Sequence, residues 1–227
     1  MAHDPLIRDW VAGWAASHGA ARPVTTSWGY TVHVGLRDQV ARHVIAARNA
    51  DVSEAVVRAV AASTSATVFH LKVFADPARV VPWLGAGWVP YGAGDCLMTR
   101  ALTSGGRSRV PRGFEVRMWT RGQVTRVLVT DRDGSFAARG QCAVRGTNAV
   151  ADQIETHEAF RRRGLGTAVM SVLQAEARRR GAERAVLSAT GVGRHLYEAL
   201  GWEVVAPLTN ARFDTVPRPG NPVQAGK

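Results

Sequence analysis

Arg161-Arg162-Arg163-Gly164-Leu165-Gly166 joins a segment with strand character to one with helical character, and its residue types suit an anion. The first turn of a helix leaves backbone N–H groups without intrahelical partners. Aligned peptide dipoles add about half a positive charge at that end. Gly164 and Gly166 carry no side chain to hold a pyrophosphate away from the backbone, while Arg161, Arg162 and Arg163 supply charge for phosphate oxygens. The loop is not a P-loop, since no Gly-Lys-Ser/Thr follows. Nor is it a dinucleotide fingerprint, because Val169 stands where the third glycine belongs.

The elements that must position this loop are legible on both sides of it. Phe114 to Thr120 reads as a first strand. Val124 to Thr130 alternates apolar and polar residues, Asp133-Gly134 supplies a tight turn, and Phe136 to Val144 returns as the second arm of a hairpin. A further strand, Ala149 to Thr156, leads into the loop. After it, Leu165, Val169, Val172 and Leu173 form one apolar helical stripe. Arg178, Arg179 and Arg180 complement the negative end of that helix, and Gly181 can take the left-handed cap conformation. Ala185 to Ser188 reads as a buried strand, Gly193 to Leu200 as a short helix, and Trp202 to Ala206 as another strand.

With this order established, the strand Ile154-Glu155-Thr156, the RRRGLG loop and the segment His195-Leu196-Tyr197-Glu198-Ala199-Leu200-Gly201-Trp202 resemble the GNAT superfamily of N-acyltransferases. The last segment is similar to that family's LYExLGF signature, and the resemblance covers about residues 114 to 213. It implies an α/β (α+β) fold with a mixed, mostly antiparallel central sheet flanked by helices, in which the strands before and after the loop and its helix splay apart. It also implies acetyl-CoA as co-substrate, with no metal. Ile154, Glu155 and Thr156 would then offer backbone groups to the pantetheine arm. The amides of Arg162, Arg163, Gly164, Leu165, Gly166 and Thr167 would cradle the pyrophosphate.

Acyl transfer from a thioester to an amine requires a proton to leave nitrogen and one to reach sulfur. Tyr197 matches the position where many family members keep a tyrosine near the sulfur, which makes it the candidate acid. Asp152, nine positions before Arg161, resembles the place of a catalytic histidine in aralkylamine-type members. It is the favoured base, with Glu155, His157 and a water relay as alternatives. Strand alternation puts Asp152, Ile154 and Thr156 on one face and Glu155 and His157 on the other, unless a bulge intervenes. The chain departs from the family at Thr190, where an asparagine often contacts the CoA arm. It also has no room between Phe114 to Thr120 and Val124 for the two helices that usually cover the acceptor. Part of the acceptor wall is therefore expected from the N-terminal half.

That half opens with a helix placing Leu6, Trp10 and Trp14 on one face, a core pattern. Strands follow at Tyr30 to Val34 and Val68 to Phe74, with a helix from Glu54 to Ala62 between them. A shift of 114 positions lays Leu71 to Val73 on Ala185 to Leu187, Trp83 on Tyr197, and Gly87-Trp88 on Gly201-Trp202. The N-terminal half thus reads as a degenerate, smaller α/β copy lacking the loop. The expected organisation is an N-terminal domain over 1–102, a Gly/Ser/Pro/Arg-rich linker over 103–113, the transferase domain over 114–215, and a breaker-rich, mobile tail over 216–227.

The formal charge is +11, but only Lys72 and Lys227 are lysines, leaving 27 arginines among the 29 basic residues. This points to compositional bias rather than a nucleic-acid groove, which would interleave aromatic platforms. No apolar run reaches membrane-span length and the N-terminus lacks a signal-peptide pattern, so a cytoplasmic protein is expected. Cys96 and Cys142 form no CxxC pair. The favoured reading is an N-acetyltransferase acting on a primary amine. A transferase for a longer acyl chain and an acyl-CoA-binding module without turnover are the alternatives. Neither the acceptor nor the oligomeric state is legible.

Overall fold

The computed structural model describes residues 3–65, 68–103 and 110–214. Helix α1 (Pro5–His18) begins at Asp4, whose carboxylate accepts from the amides of Leu6 and Ile7, and Pro5 fills a first-turn position that needs no N–H. It ends at Gly19 in the left-handed conformation, φ 65°. Then come β1 (Val24–Thr25), β2 (Gly29–Leu36), β3 (Gln39–Arg48), α2 (Glu54–Ser63), β4 (Phe69–Phe74), the single turn α3 (Pro77–Val80), β5 (Trp88–Tyr91) and β6 (Cys96–Ala101). The second half runs β7 (Phe114–Arg121), β8 (Val124–Asp131), β9 (Phe136–Arg145), β10 (Asn148–Thr156), α4 (Leu165–Arg179), β11 (Arg184–Ala189), α5 (Gly191–Ala199), β12 (Glu203–Pro207) and β13 (Thr209–Phe213).

Two mixed, mostly antiparallel sheets result. The first has the order β1-β2-β3-β4-β13-β5 and the second β12-β6-β11-β10-β9-β8-β7. Each contains one parallel pair, β3 with β4 and β10 with β11, followed by an inserted antiparallel strand. The inserted strand comes from the other half: β6 lies between β11 and β12, and β13 between β4 and β5. The internal repeat therefore holds in three dimensions, with β4 matching β11 and β5 matching β12. The stretch 103–113 separates the halves in sequence, yet each sheet is completed by a strand from beyond it. Residues 104–109 of that linker and the tail expected over 216–227 lie outside the described residues.

Strands β3, β5, β6 and β13 lie outside those expected from the sequence. In β3 the continuous run Val44 to Ala47 is buried on both faces, so no period-2 alternation marks it. β6 and β13 owe their conformation to partners far away in the chain.

Helix α1 is packed between the two sheets. Its Ile7, Trp10, Val11 and Trp14 share one core with Val32, Val44 and Phe74 of the first sheet and Leu97, Val150 and Val186 of the second. The approach to β10 is close, since a Cβ on Gly13 would stand 2.6 Å from Val150 Cβ. α2 covers the outer face of the first sheet, packing Val57 and Val60 on Leu71 and Val73. α4 covers the outer face of the second with Val169, Met170 and Leu173. Among the described residues no helix is long and apolar enough to cross a membrane.

Candidate active site

Strands β10 and β11 pair only over Asn148–Val150 and Arg184–Val186, although β10 continues to Thr156 and β11 to Ala189. Beyond Val150 they part, and among the described residues the β11-facing edge of β10 has no strand partner. The other edge stays paired to β9 as far as Thr156, with a bulge between Asp152 and Glu155. Gln153 sits at the bulge with φ 50°.

This bulge corrects the alternation expected from sequence. Ile154 turns toward α4, where its Cδ1 borders Gly140 together with Val169 and Leu173, and Thr156 Oγ1 lies near Gly166. Asp152 turns the other way, toward α1. Glu155 joins it on that face, pairing with Arg139 at 2.8 Å across β9. The inserted residue shifts the two-residue period by one, so Asp152 parts from Ile154 and Thr156.

The loop before α4 presents the turn anticipated from its glycines. Gly164 occupies the N-cap with φ 77°, and no side chain caps the helix. The first intrahelical bond runs from Ala168 N to Gly164 O at 3.0 Å, so the amides of Leu165, Gly166 and Thr167 have no intrahelical acceptor. Leu165 anchors the turn by burying its side chain in the core. Arg161, Arg162 and Arg163 are exposed around it, Arg162 itself in the left-handed region at φ 62°. A Cβ on Gly166 would come 3.0 Å from Leu196 Cδ2, which shows how closely α5 packs on this turn.

Tyr197 lies on α5 with its ring buried beside Trp202, centroids 5.8 Å apart. Burial pushes its phenol up to about 12, and the Asp152 carboxylate pushes in the same direction, so the two groups lie within electrostatic reach. Thr190 is committed to capping α5, accepting from Gly193 N at 3.1 Å. His157 caps the turn after β10, accepting from Ala159 N, and lies beyond the strand's end.

Asp152 is held by two residues of α1, which β9 and β8 support in turn. Its Oδ2 accepts from Ser17 Oγ at 2.9 Å, and His18 Nδ1 stands 2.9 Å away. Ser17 Oγ accepts in turn from Gln141 Nε2 at 2.7 Å, and Gln141 Oε1 from Arg126 Nε at 3.0 Å. Sequence reasoning missed Ser17 and His18. His18 had a signal, since it continues the spacing of four set by Leu6, Trp10 and Trp14; Ser17 had none. The N-terminal half also places Arg42 here, its guanidinium 3.7 Å over the Trp14 ring and its Nη2 donating to Gln39 Oε1 at 3.2 Å. Burial draws Arg42 down to about 10, and its Nε and Nη1 have no hydrogen-bond partner among the described residues. Lys72 is buried on the same sheet face, donating to Asn210 Oδ1, and Asn210 Nδ2 donates to Asp95 Oδ2 at 2.7 Å. The described residues contain no group of three or more His, Cys, Asp or Glu able to hold a metal ion.

The model of the GNAT acetyltransferase family matches residues 102–202, the span that contains the parted strands, the uncapped helix and Tyr197. This segment is a GNAT domain. The described architecture is similar to that of a GCN5-related N-acetyltransferase from Kribbella flavida, with a TM-score of 0.65 at 17% identity over 97% of this chain and 98% of that one. It is also similar to a tandem GNAT protein from the clavulanic acid biosynthesis pathway, with a TM-score of 0.52 at 14% identity over 70% of this chain and 68% of that one. No curated protein matches the chain at a significant level. The family match supports acyl transfer in general for this segment, and the N-terminal half, whose strand order repeats that of the segment, lends β6 to its sheet.

Proposed function

We propose that the chain is an N-acetyltransferase that moves the acetyl group of acetyl-CoA to a primary amine by direct attack in a ternary complex. The observation that carries this reading is the uncapped start of α4 beside the stretch of β10 that β11 leaves unpaired. The amides of Arg162 to Thr167, with the charge of Arg161 to Arg163, suit the diphosphate of CoA. The free backbone edge at Ile154, Glu155 and Thr156 suits the amides of the pantetheine arm, which leads the thioester into the gap between the strands.

In this scheme the neutral amine's lone pair forms the C–N bond, and the C–S electron pair leaves with sulfur. Tyr197 donates its proton to that sulfur. A phenol pushed up to about 12 stays protonated at neutral pH. It is a weaker acid than a thiol of ordinary pKa about 8.5, so donation accompanies C–S cleavage rather than preceding it. Asp152, on the face turned to α1, supplies negative charge where positive charge develops on nitrogen.

The test is a panel of primary amines with acetyl-CoA, followed by release of the CoA thiol. Tyr197→Phe is expected to lower kcat by roughly 10²-fold or more while acetyl-CoA binding is retained. Absence of thiol release with every amine, in a protein that binds acetyl-CoA, would overturn the reading.

A further inference from the structure

The α1 side of the bulge opens onto a cleft of about 280 Å³ lined by His18, Trp119, Arg126, Arg139, Gln141 and Gln153, among others. Gln153, at the bulge in the stretch of β10 that β11 leaves unpaired, is the β10 residue on its wall. His18 is the imidazole on its wall. Its ring stacks on Trp14, centroids 4.0 Å apart and 27° between planes, which fixes the ring's orientation.

The tautomer follows from the neighbours. His18 Nδ1 bonds to the Trp14 carbonyl oxygen at 3.2 Å and stands 2.9 Å from Asp152 Oδ2. Both are acceptors, so Nδ1 must carry the proton, and a neutral ring then bears its lone pair on Nε2. That nitrogen is on the ring edge away from both acceptors. Asp152 Oδ2 is already occupied by Ser17 and faces His18 Nδ1, an arrangement that orients an imidazole and stabilises the imidazolium it becomes.

We infer that His18 Nε2 is the proton acceptor for the amine, with Asp152 as its positioning residue and the cleft beside it as the acceptor's entrance. This rests on the acetyl-transfer reading above and moves the base from the GNAT domain to the N-terminal helix. As the C–N bond forms, the amine proton passes to His18 Nε2 and the imidazolium is held against Asp152. The C–S electron pair departs on sulfur, which takes the Tyr197 proton. The phenolate recovers a proton from water, and His18 returns its own to water, so CoA thiol and amide leave an unchanged enzyme.

The experiment has two arms on the full-length chain. In the first, two-dimensional ¹H–¹⁵N NMR of the neutral protein reads the His18 tautomer. The Nδ1–H form is expected, shifting toward Nε2–H in Asp152→Asn; an Nε2–H ring in the unaltered protein overturns the inference without touching the acetyl-transfer reading. In the second, His18→Ala is assayed with whichever amine the panel identifies. Its kcat is expected to fall roughly 10²-fold with acetyl-CoA affinity unchanged, and added imidazole to restore at least about 10-fold of the loss. A kcat within about 3-fold of the unaltered protein, or a loss that imidazole does not restore in a folded variant, also overturns it. If the unaltered protein transfers acetyl to no amine, the acetyl-transfer reading fails and the assignment of His18 fails with it.

Discussion

Gly13→Ala separates what a helix prefers from what this fold allows. Within an isolated helix the change is favourable by about 1 kcal/mol, because glycine loses more backbone entropy. In the folded protein the added Cβ would stand 2.6 Å from Val150 Cβ and closer still to Val150 Cγ2. Reaching ordinary contact moves α1 off β10 by about 1 Å, a gap that forfeits a quarter to a half of the dispersion energy along the contact. Trp10, Val11 and Trp14 all lie in that interface. Overpacking of this kind costs about 1–3 kcal/mol, and a clash between Cβ atoms, which no rotamer can relieve, belongs at the upper end. The net expectation is a loss of about 1–2 kcal/mol, or roughly 3–6 °C in Tm for a chain of this size. Urea unfolding followed by tryptophan fluorescence reads it, since Trp10 and Trp14 sit on the displaced helix. Because Ser17 and His18 ride on the same helix, their contacts with Asp152 should loosen too. If Gly13→Ala is as stable as the unaltered protein or more so, the packing argument is wrong.

Cutting the chain within 103–113 should leave neither fragment folded alone, because the first sheet then lacks β13 and the second lacks β6; circular dichroism of each fragment and of the mixed pair decides it, and an independently folded fragment refutes it. Gly164→Val forces a β-branched residue into φ 77° at the start of α4 and should weaken acetyl-CoA binding more than it lowers stability, as calorimetry would show. Burial, followed by the charge of His33, holds His43 down to about 4, below its ordinary 6.5. Its neutral form is therefore the one the fold favours. The unfolded chain takes up a proton first as pH falls, so stability is complete above about 6.5 and declines toward pH 4. The decline is at most about 3 kcal/mol, less for a partly exposed ring, and His43→Phe should flatten that part of the pH profile of urea unfolding. Arg139→Ala, which breaks only the half-exposed pair with Glu155, should change stability by less than about 1 kcal/mol.

The sequence by itself determined the local structure of one contiguous stretch. Glycines at 164 and 166 and the apolar stripe from Leu165 to Leu173 define a turn and the helix after it through local rules of periodicity and capping. Tyr197 followed from its place in a second ordered motif. Tertiary structure alone decided the rest, because it depends on pairings across long stretches of chain. β6 and β13 are short segments whose strand state is set by hydrogen bonds to the opposite half, and no local pattern announces an exchange. The bulge at Gln153 moved Asp152 to the α1 face, a change of one residue in register that alternation cannot anticipate. His18, 134 positions before Asp152, reaches it only because Gly13 lets α1 settle against β10. Side-chain periodicity reports which face of an element is apolar; it carries no information on which distant element will cover that face.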